Sequence, residues 1–137
     1  MVSKFYVDNC IWIDYFEDRK DSLKPLGEFA FQFFKKCKSR EDKIIFSSIV
    51  EEELLKFYSK EELQNRLLGV DLMIERVTVG EGTFRSARKY WVERGKIFPL
   101  QDVTHAFLAK HLGAVIITRD FHFREFNFVN SFTPEEC

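Results

Sequence analysis

The sequence predicts an α/β protein in which helices cover both faces of a central parallel sheet. Two observations predict this class: short β-branched runs alternate with amphipathic helical patterns along the chain, and one run lacks any polar alternation. That run is AVIIT at residues 114–118. A strand that is apolar on both sides is expected inside a parallel sheet, where helices cover both of its faces. The 137 residues suit one domain, which we place at residues 1–137.

The strands are predicted, in order, at residues 5–7, 43–48, 76–79, 114–118 and 126–132, with the last at an edge. Helical periodicity fills the intervals between them. In the second helix one apolar stripe is predicted to face the sheet, and it consists of Leu26, Phe29, Ala30, Phe33, Phe34 and Cys37. Phe31 lies off this stripe, so we expect it to be exposed and to mark a partner surface.

Three acids lie where strands end or helices begin. Asp8 follows the first strand, Asp120 follows residues 114–118, and Asp102 opens the helix that begins after Pro99 and ends at Gly113. Each acid also has a purely structural explanation, since Asp is a common helix N-cap and a common turn residue. Other acids near the first helix, Asp14, Glu17 and Asp18, are predicted to be solvated surface.

A run of three acids, Glu51, Glu52 and Glu53, follows the second strand. The helical face predicted to be buried here consists of Val50, Leu54, Phe57 and Tyr58. Glu51 and Glu53 flank that face on opposite sides, while Glu52 points away. Helical geometry does not choose between Glu51 and Glu53, and an acidic first turn that complements the helix dipole remains the structural alternative.

These acids should meet at one rim, because the carboxyl ends of parallel strands lie at the same edge of a sheet. Two carboxylates about 4 Å apart repel by about 4 kcal/mol at an effective dielectric near 20, so the cluster predicts a compensating cation. Oxygen ligands favour Mg²⁺ or Mn²⁺. Zinc is disfavoured, because His105, His111 and His122 do not lie at ligand spacing. Such a site suits metal-assisted hydrolysis of a phosphodiester.

Three stretches, VDNCIWIDYF, SSIVEEELLKF and LQDVTHAFLAKHLGAVIITRDFHF, resemble the three acid-bearing motifs of PIN-domain ribonucleases, and most closely those of VapC-type toxins. In that family the Glu precedes an L-L pair, so the resemblance selects Glu53. It assigns the metal and catalytic role to Asp8, Glu53, Asp102 and Asp120. It further implies a three-layer PIN-like fold with about five parallel strands, RNA cleavage with Mg²⁺ or Mn²⁺, homodimers and a small antitoxin partner.

The sequence departs from the family pattern at Cys10, where the family usually has an Asn that supports the site. Asn9 is the residue that could substitute for it. Thr118 and Arg119 match the polar residues that precede the last acid in the family, and both are candidate substrate contacts, as is Asn9. Arg119 could contact a phosphate of the RNA or could pair with an acid. Arg85, Arg88 and Lys89 on the fifth helix could hold phosphates, or could simply be a solvated face.

Composition narrows the remaining possibilities. The 21 Lys and Arg against 22 Asp and Glu give no overall basic field, and three cysteines without a CxxC pair favour reduced thiols in a cytoplasmic protein. We expect no leader peptide and no membrane segment. A dinucleotide-binding module would need G-x-G-x-x-G, and a receiver-like or aspartyl-nucleophile domain would need acids beside Asp8 that are absent. The alternative that remains is a PIN-like module that binds RNA or protein without turnover.

Overall fold

The computed structural model describes residues 2–137 and confirms the α/β class. Its five strands all pair in parallel, in the spatial order β3-β2-β1-β4-β5. They are β1 (Lys4–Val7), β2 (Lys43–Ser47), β3 (Ile74–Val77), β4 (Val115–Ile117) and β5 (Ser131–Phe132). In the register of the central strand, Tyr6 lies opposite Ile45 on one side and Ile116 on the other. The strands β1, β2 and β4 are therefore neighbours, and their carboxyl ends lie together.

Helices on both faces complete a three-layer α/β/α fold. They are α1 (Asn9–Glu17), α2 (Leu26–Arg40), α3 (Ser48–Leu54), α4 (Lys60–Leu67), α5 (Glu81–Glu93) and α6 (Leu100–Leu112). The capping box predicted by Ser59 and Glu62 starts α4, with both reciprocal hydrogen bonds present. Gly113 ends α6 at a φ of 65°, a left-handed conformation that a glycine adopts without steric cost. Among residues 2–137, no helix has both the length and the hydropathy that crossing a membrane requires.

Aromatic packing joins the first helical pair to the sheet. Trp12 is fully buried, stacks on Phe34 of α2 at a centroid distance of 4.9 Å, and meets Phe46 of β2 edge-on at 5.5 Å. Its indole Nε1 donates to the carbonyl of Val7 at 3.2 Å, which satisfies the only polar atom of the side chain. The predicted stripe of α2 faces inward at Ala30, Phe33, Phe34 and Cys37, all buried. Phe31 is 47% exposed, as predicted.

Three predictions about local structure were wrong. The edge strand is only Ser131–Phe132, because residues 126–130 form turns and Phe126 is buried in the core. Phe57, predicted to be on a buried helical face, is 68% exposed because α3 ends at Leu54 and the chain then turns. Asp14, predicted to be solvated, is only 1% exposed. It accepts from Arg19 Nε at 2.7 Å and from Arg119 Nε at 3.4 Å, and these two guanidinium groups replace its water.

Candidate metal centre

Sheet topology brings the four predicted acids to the carboxyl edge. Asp8 directly follows β1 and is the N-cap of α1, while Asp120 lies three residues beyond β4. Glu53 lies on α3, which continues from the end of β2. Asp102 is in the first turn of α6, whose chain runs back from this edge to the start of β4. This is the edge at which open α/β sheets place their sites.

Asp102 and Asp120 meet through His122. His122 Nε2 lies 2.8 Å from Asp102 Oδ2, and its Nδ1 contacts Asp120 Oδ1. One ligand atom from each of the three residues can be chosen so that all lie within 4.8 Å of one another. Asp102 is the third residue of α6, and Pro99 holds the N-cap position without a side-chain capping bond. The capping alternative for Asp102 is therefore not what the structure shows.

Two opposing effects act on the Asp102 carboxyl. Burial raises its pKa above the ordinary value, and the charge of Asp8 adds to that increase. The charge and hydrogen bond of His122 oppose the rise without cancelling it. A carboxylate in this position gains more from a bound cation than a fully solvated one does, because it has already lost part of its hydration.

The predicted set of metal-binding residues did not include His122, but the structure places its imidazole between Asp102 and Asp120. Spacing along the chain placed it near no second histidine or cysteine, but the fold brings it to Asp102, twenty residues away in sequence. A local signal does exist. Asp120 begins a short 3₁₀ turn (Phe121–Glu125) and its side chain accepts the His122 backbone N–H at 3.4 Å, so the imidazole folds back over Asp120. The other two histidines contact different partners, His105 on Tyr6 and Glu53, and His111 on Thr83.

Asp8 is held by its neighbours on two elements. Its Oδ2 accepts from Thr118 Oγ1 at 2.7 Å, and its Oδ1 accepts from the Asn9 backbone N–H at 2.8 Å. Thr118 is only 4% exposed and also accepts the Asp120 backbone N–H at 3.1 Å. The structure gives Thr118 a supporting contact with the acids, and its contact with substrate stays a prediction. Its buried hydroxyl orients Asp8 and the turn that carries Asp120.

Cys10 occupies the position where the family pattern has Asn. Its Sγ lies 3.7 Å from Asp8 Oδ2 and 4.0 Å from Thr118 Oγ1. Burial, followed by the negative charge of Asp8, raises the pKa of the thiol to about 12. The group is therefore a neutral S–H at physiological pH. It donates weakly to Asp8, in place of the stronger donor that an Asn amide would supply.

The choice between Glu51 and Glu53 is resolved by their contacts. Glu51 is paired with Arg76 of β3 at 2.7 Å, away from the other acids. Glu53 Oε1 lies 2.8 Å from His105 Nε2, and His105 is one helical turn beyond Asp102 on α6. Glu52 is exposed, as helical geometry predicted. Glu53 is therefore the glutamate of this run on the side of Asp102.

The basic residues that were predicted to contact phosphate do not pair with the four acids. Arg119 donates from both terminal nitrogens to Glu135 at 2.9 Å and also pairs with Asp14, so the structure favours an ion pair over a phosphate contact. Arg85, Arg88 and Lys89 are exposed on α5, beside the exposed Phe84 and Val92, and none of the three pairs with a site carboxylate. They form an exposed basic face of α5, and their contact with phosphate stays a prediction.

The four acids share one electrostatic property. Among residues 2–137, no lysine or arginine forms an ion pair with Asp8, Glu53, Asp102 or Asp120, and their only such partners are two histidines. Other acids of the fold, including buried Asp14, do have arginine partners. A donor set of carboxylates with one imidazole fits a divalent cation, which would supply the missing positive charge.

Comparison with known proteins identifies the fold family. The family model of the PIN domain matches residues 5–129. The chain therefore belongs to the PIN domain family. A comparison with curated protein sequences finds no significant match.

Solved structures with the same fold are distant in sequence. The VapBC2 structure from Rickettsia felis, bound to a DNA fragment from its promoter, has a TM-score of 0.73 at 17% identity and covers 95% of this chain and 98% of its own. FitAcB from Neisseria gonorrhoeae scores 0.68 at 17% identity, over 97% and 99%. Mycobacterium tuberculosis VapC20, a sarcin-ricin loop cleaving toxin, scores 0.64 at 15% identity, over 91% and 96%. At these identities the likeness shows the fold.

Proposed function

We propose that this PIN domain is an Mg²⁺- or Mn²⁺-dependent endoribonuclease that acts as the toxin of a type II toxin–antitoxin pair. The observation that carries the proposal is the cluster of acids at the carboxyl edge of the sheet, which has no lysine or arginine partner among residues 2–137. Carboxylates gathered without a lysine or arginine partner favour a divalent cation, and hydrolysis of a phosphodiester is a reaction that such an ion supports.

The proposed ligands are the oxygens of Asp8, Asp102, Asp120 and Glu53, joined by an imidazole nitrogen of His122. A bound divalent ion would supply an activated water and would neutralise negative charge on the oxygens of the phosphate being attacked. The protein's own contribution is orientation. The Thr118 hydroxyl holds one oxygen of Asp8, and the Asn9 backbone N–H holds the other. Such supporting bonds fix the direction of the ligand oxygens.

The same proposal includes residues outside the acid cluster that would contact the RNA. Asn9 follows Asp8, is partly exposed, and lies at the start of α1, where an amide can donate to a phosphate oxygen. Arg85, Arg88 and Lys89 offer positive charge on a separate face, α5, for the RNA backbone. These four residues lie outside the acid cluster and would affect RNA affinity more than hydrolysis.

The protein partners that we propose are suggested by solved structures of the same fold. One solved structure of the same fold, from Klebsiella pneumoniae, is a toxin–antitoxin complex. We therefore propose a small antitoxin as a partner of this chain, and a homodimer as its own assembly in the cytoplasm. The exposed ring of Phe31 on α2 is a candidate contact for one of them.

The alternative, a PIN-like module that binds RNA or protein without turnover, is favoured by one observation. The neutral thiol of Cys10 gives Asp8 a weaker donor than the usual Asn. Purified protein incubated with total RNA separates the two functions. The nuclease proposal expects cleavage that EDTA stops and that added Mn²⁺ restores. Intact RNA with Mn²⁺ present, for a folded preparation, would favour the binding module.

A further inference from the structure

We propose that a buried chain of hydrogen bonds, Ser47–Tyr6–His105, positions the carboxylate of Glu53, and that His105 is therefore a positioning residue of the site. This inference rests on the proposed function, because it concerns one of the proposed metal ligands. None of the three side chains would touch metal or RNA. They act from inside the protein, behind Glu53.

The chain of hydrogen bonds is continuous, and its three side chains are closed to solvent. The Tyr6 hydroxyl lies 2.8 Å from Ser47 Oγ and 2.5 Å from His105 Nδ1, and His105 Nε2 lies 2.8 Å from Glu53 Oε1. Tyr6 and Ser47 are each 1% exposed, and His105 is 2% exposed. The side chain of Glu53 is 18% exposed, so the chain runs from the core to the edge of the site.

For a neutral imidazole, hydrogen-bond chemistry fixes the direction of every link. An ionised carboxylate only accepts, so His105 Nε2 carries the proton and donates to Glu53. In the neutral ring Nδ1 is then the acceptor, and the Tyr6 hydroxyl is its donor. The Tyr6 oxygen accepts in turn from the Ser47 hydroxyl, whose oxygen accepts the Val50 backbone N–H at 3.1 Å. Burial raises the pKa of Tyr6 far above its usual range, which keeps the phenol a donor.

Four elements converge through this chain. Tyr6 lies on β1, Ser47 ends β2, Glu53 lies on α3 and His105 lies on α6. The imidazole also meets the Tyr6 ring edge-on, with centroids 5.4 Å apart. Its hydrogen bond uses Oε1 of Glu53 and leaves Oε2 available. The orientation of the Glu53 carboxylate is thus set by side chains that are themselves buried.

Stability alone does not account for this chain of hydrogen bonds. Buried polar groups must all be paired to avoid a penalty, and a well-packed apolar residue at position 105 would stabilise the core about as well. The hydrogen-bonded histidine has a further effect, since it fixes the orientation of the Glu53 carboxylate. A second-layer histidine of this kind commonly affects metal affinity roughly 10- to 100-fold.

Two matched variants of the full chain separate positioning from packing. His105→Gln keeps an amide nitrogen near the place of Nε2, within reach of Glu53. His105→Asn is shorter and keeps a polar atom only near Nδ1, beside Tyr6. Calorimetry with Mn²⁺ should show affinity reduced roughly 10- to 100-fold in His105→Asn and largely restored in His105→Gln. Urea unfolding of both variants reports how much of any change is general destabilisation.

The wild-type protein supplies a readout that does not depend on any variant folding. Nitrogen-15 NMR of the imidazoles should show His105 as the neutral Nε2–H tautomer, and Tyr6→Phe should remove the hydrogen-bond shift of its Nδ1. The opposite tautomer, or equal Mn²⁺ affinity in wild type, His105→Asn and His105→Gln, overturns the inference while leaving the proposed function in place. Wild type that binds no Mn²⁺ overturns both.

Discussion

The hydroxyl of Thr118 donates to Oδ2 of Asp8 at 2.7 Å, and this bond joins the end of β4 to the end of β1. The two residues are 110 positions apart in sequence, and their strands are hydrogen-bonded neighbours in the sheet. Asp8 accepts its other strong bond from the Asn9 backbone. The orientation of the first acid therefore depends on a residue of the motif that carries the last one.

Replacement of Thr118 by Val should weaken Mn²⁺ binding roughly 10- to 100-fold, because Asp8 loses its strongest side-chain donor. Thr118→Ser keeps the hydroxyl and is the matched control. Calorimetry with Mn²⁺ measures both variants, and urea unfolding monitors their stability. Equal affinity in Thr118→Val and wild type would show that Asp8 needs no such support.

His122→Asn should lower the affinity for Zn²⁺ more than the affinity for Mg²⁺. The imidazole is a good ligand for Zn²⁺, whereas Mg²⁺ prefers oxygen and binds mainly through carboxylates and water. His111→Asn is the control, because that exposed residue contacts Thr83 and lies outside the acid cluster. Competition titrations with a metal indicator give both affinities. If the two ions lose affinity equally, His122 is not a ligand.

Asp14→Ala should lower the free energy of unfolding by about 2 kcal/mol. Removing one partner of a fully buried ion pair costs roughly 3–5 kcal/mol, and the figure here is smaller because both arginines keep some contact with water. Glu17→Ala, at a half-exposed pair with Arg66, should cost less than about 1 kcal/mol. Urea denaturation compares them. A similar cost for both variants would contradict the buried network.

The contribution of Glu135 to stability should depend on pH. Burial alone would raise the pKa of this carboxyl, but the hydrogen bonds and charge of Arg119 lower it below its usual value near 4.5. Because the folded state holds the ionised form more strongly, the stabilisation is complete above that usual value and is lost as the pH falls through the lowered pKa.

The measurement is the difference in unfolding free energy between wild type and Glu135→Gln at several pH values. This difference should be constant near neutral pH and should shrink below roughly pH 4.5, toward the lowered pKa. Glu125→Gln, at an exposed position, controls for the loss of one negative charge. A difference that grows as the pH falls would reverse the sign and would rule out the Arg119 pair as its cause.

The sequence predicts the fold and the rim position of the acids well, because both depend on local patterns. The unbroken apolar run at β4 indicates a strand inside the sheet, and an acid placed shortly after a strand is carried to the carboxyl edge by topology alone. Asp8 and Asp120 lie there for that reason. Capping signals such as Ser59 with Glu62 are local as well, and they are reproduced.

What the sequence does not predict are contacts between distant segments. Asp14 is buried with two arginine partners, and one of them, Arg119, lies 105 residues later in the sequence. His122 reaches Asp102 across 20 residues, and His105 reaches Glu53 across 52. Helical or strand periodicity assigns a residue to a face but does not say which side chain arrives from another element. For the same reason the sequence indicated a substrate contact for Thr118 and did not indicate its hydrogen bond to the distant Asp8.

The central claim is that the acid cluster cuts RNA, and the most direct measurement maps RNA ends in cells that express either wild type or Asp102→Asn. The variant removes one carboxylate charge from the cluster while an oxygen remains next to His122, so the fold should persist. We predict growth arrest and discrete new RNA ends with wild type, and neither with Asp102→Asn. The same ends and the same arrest with both proteins, or no new ends with either, would contradict the account.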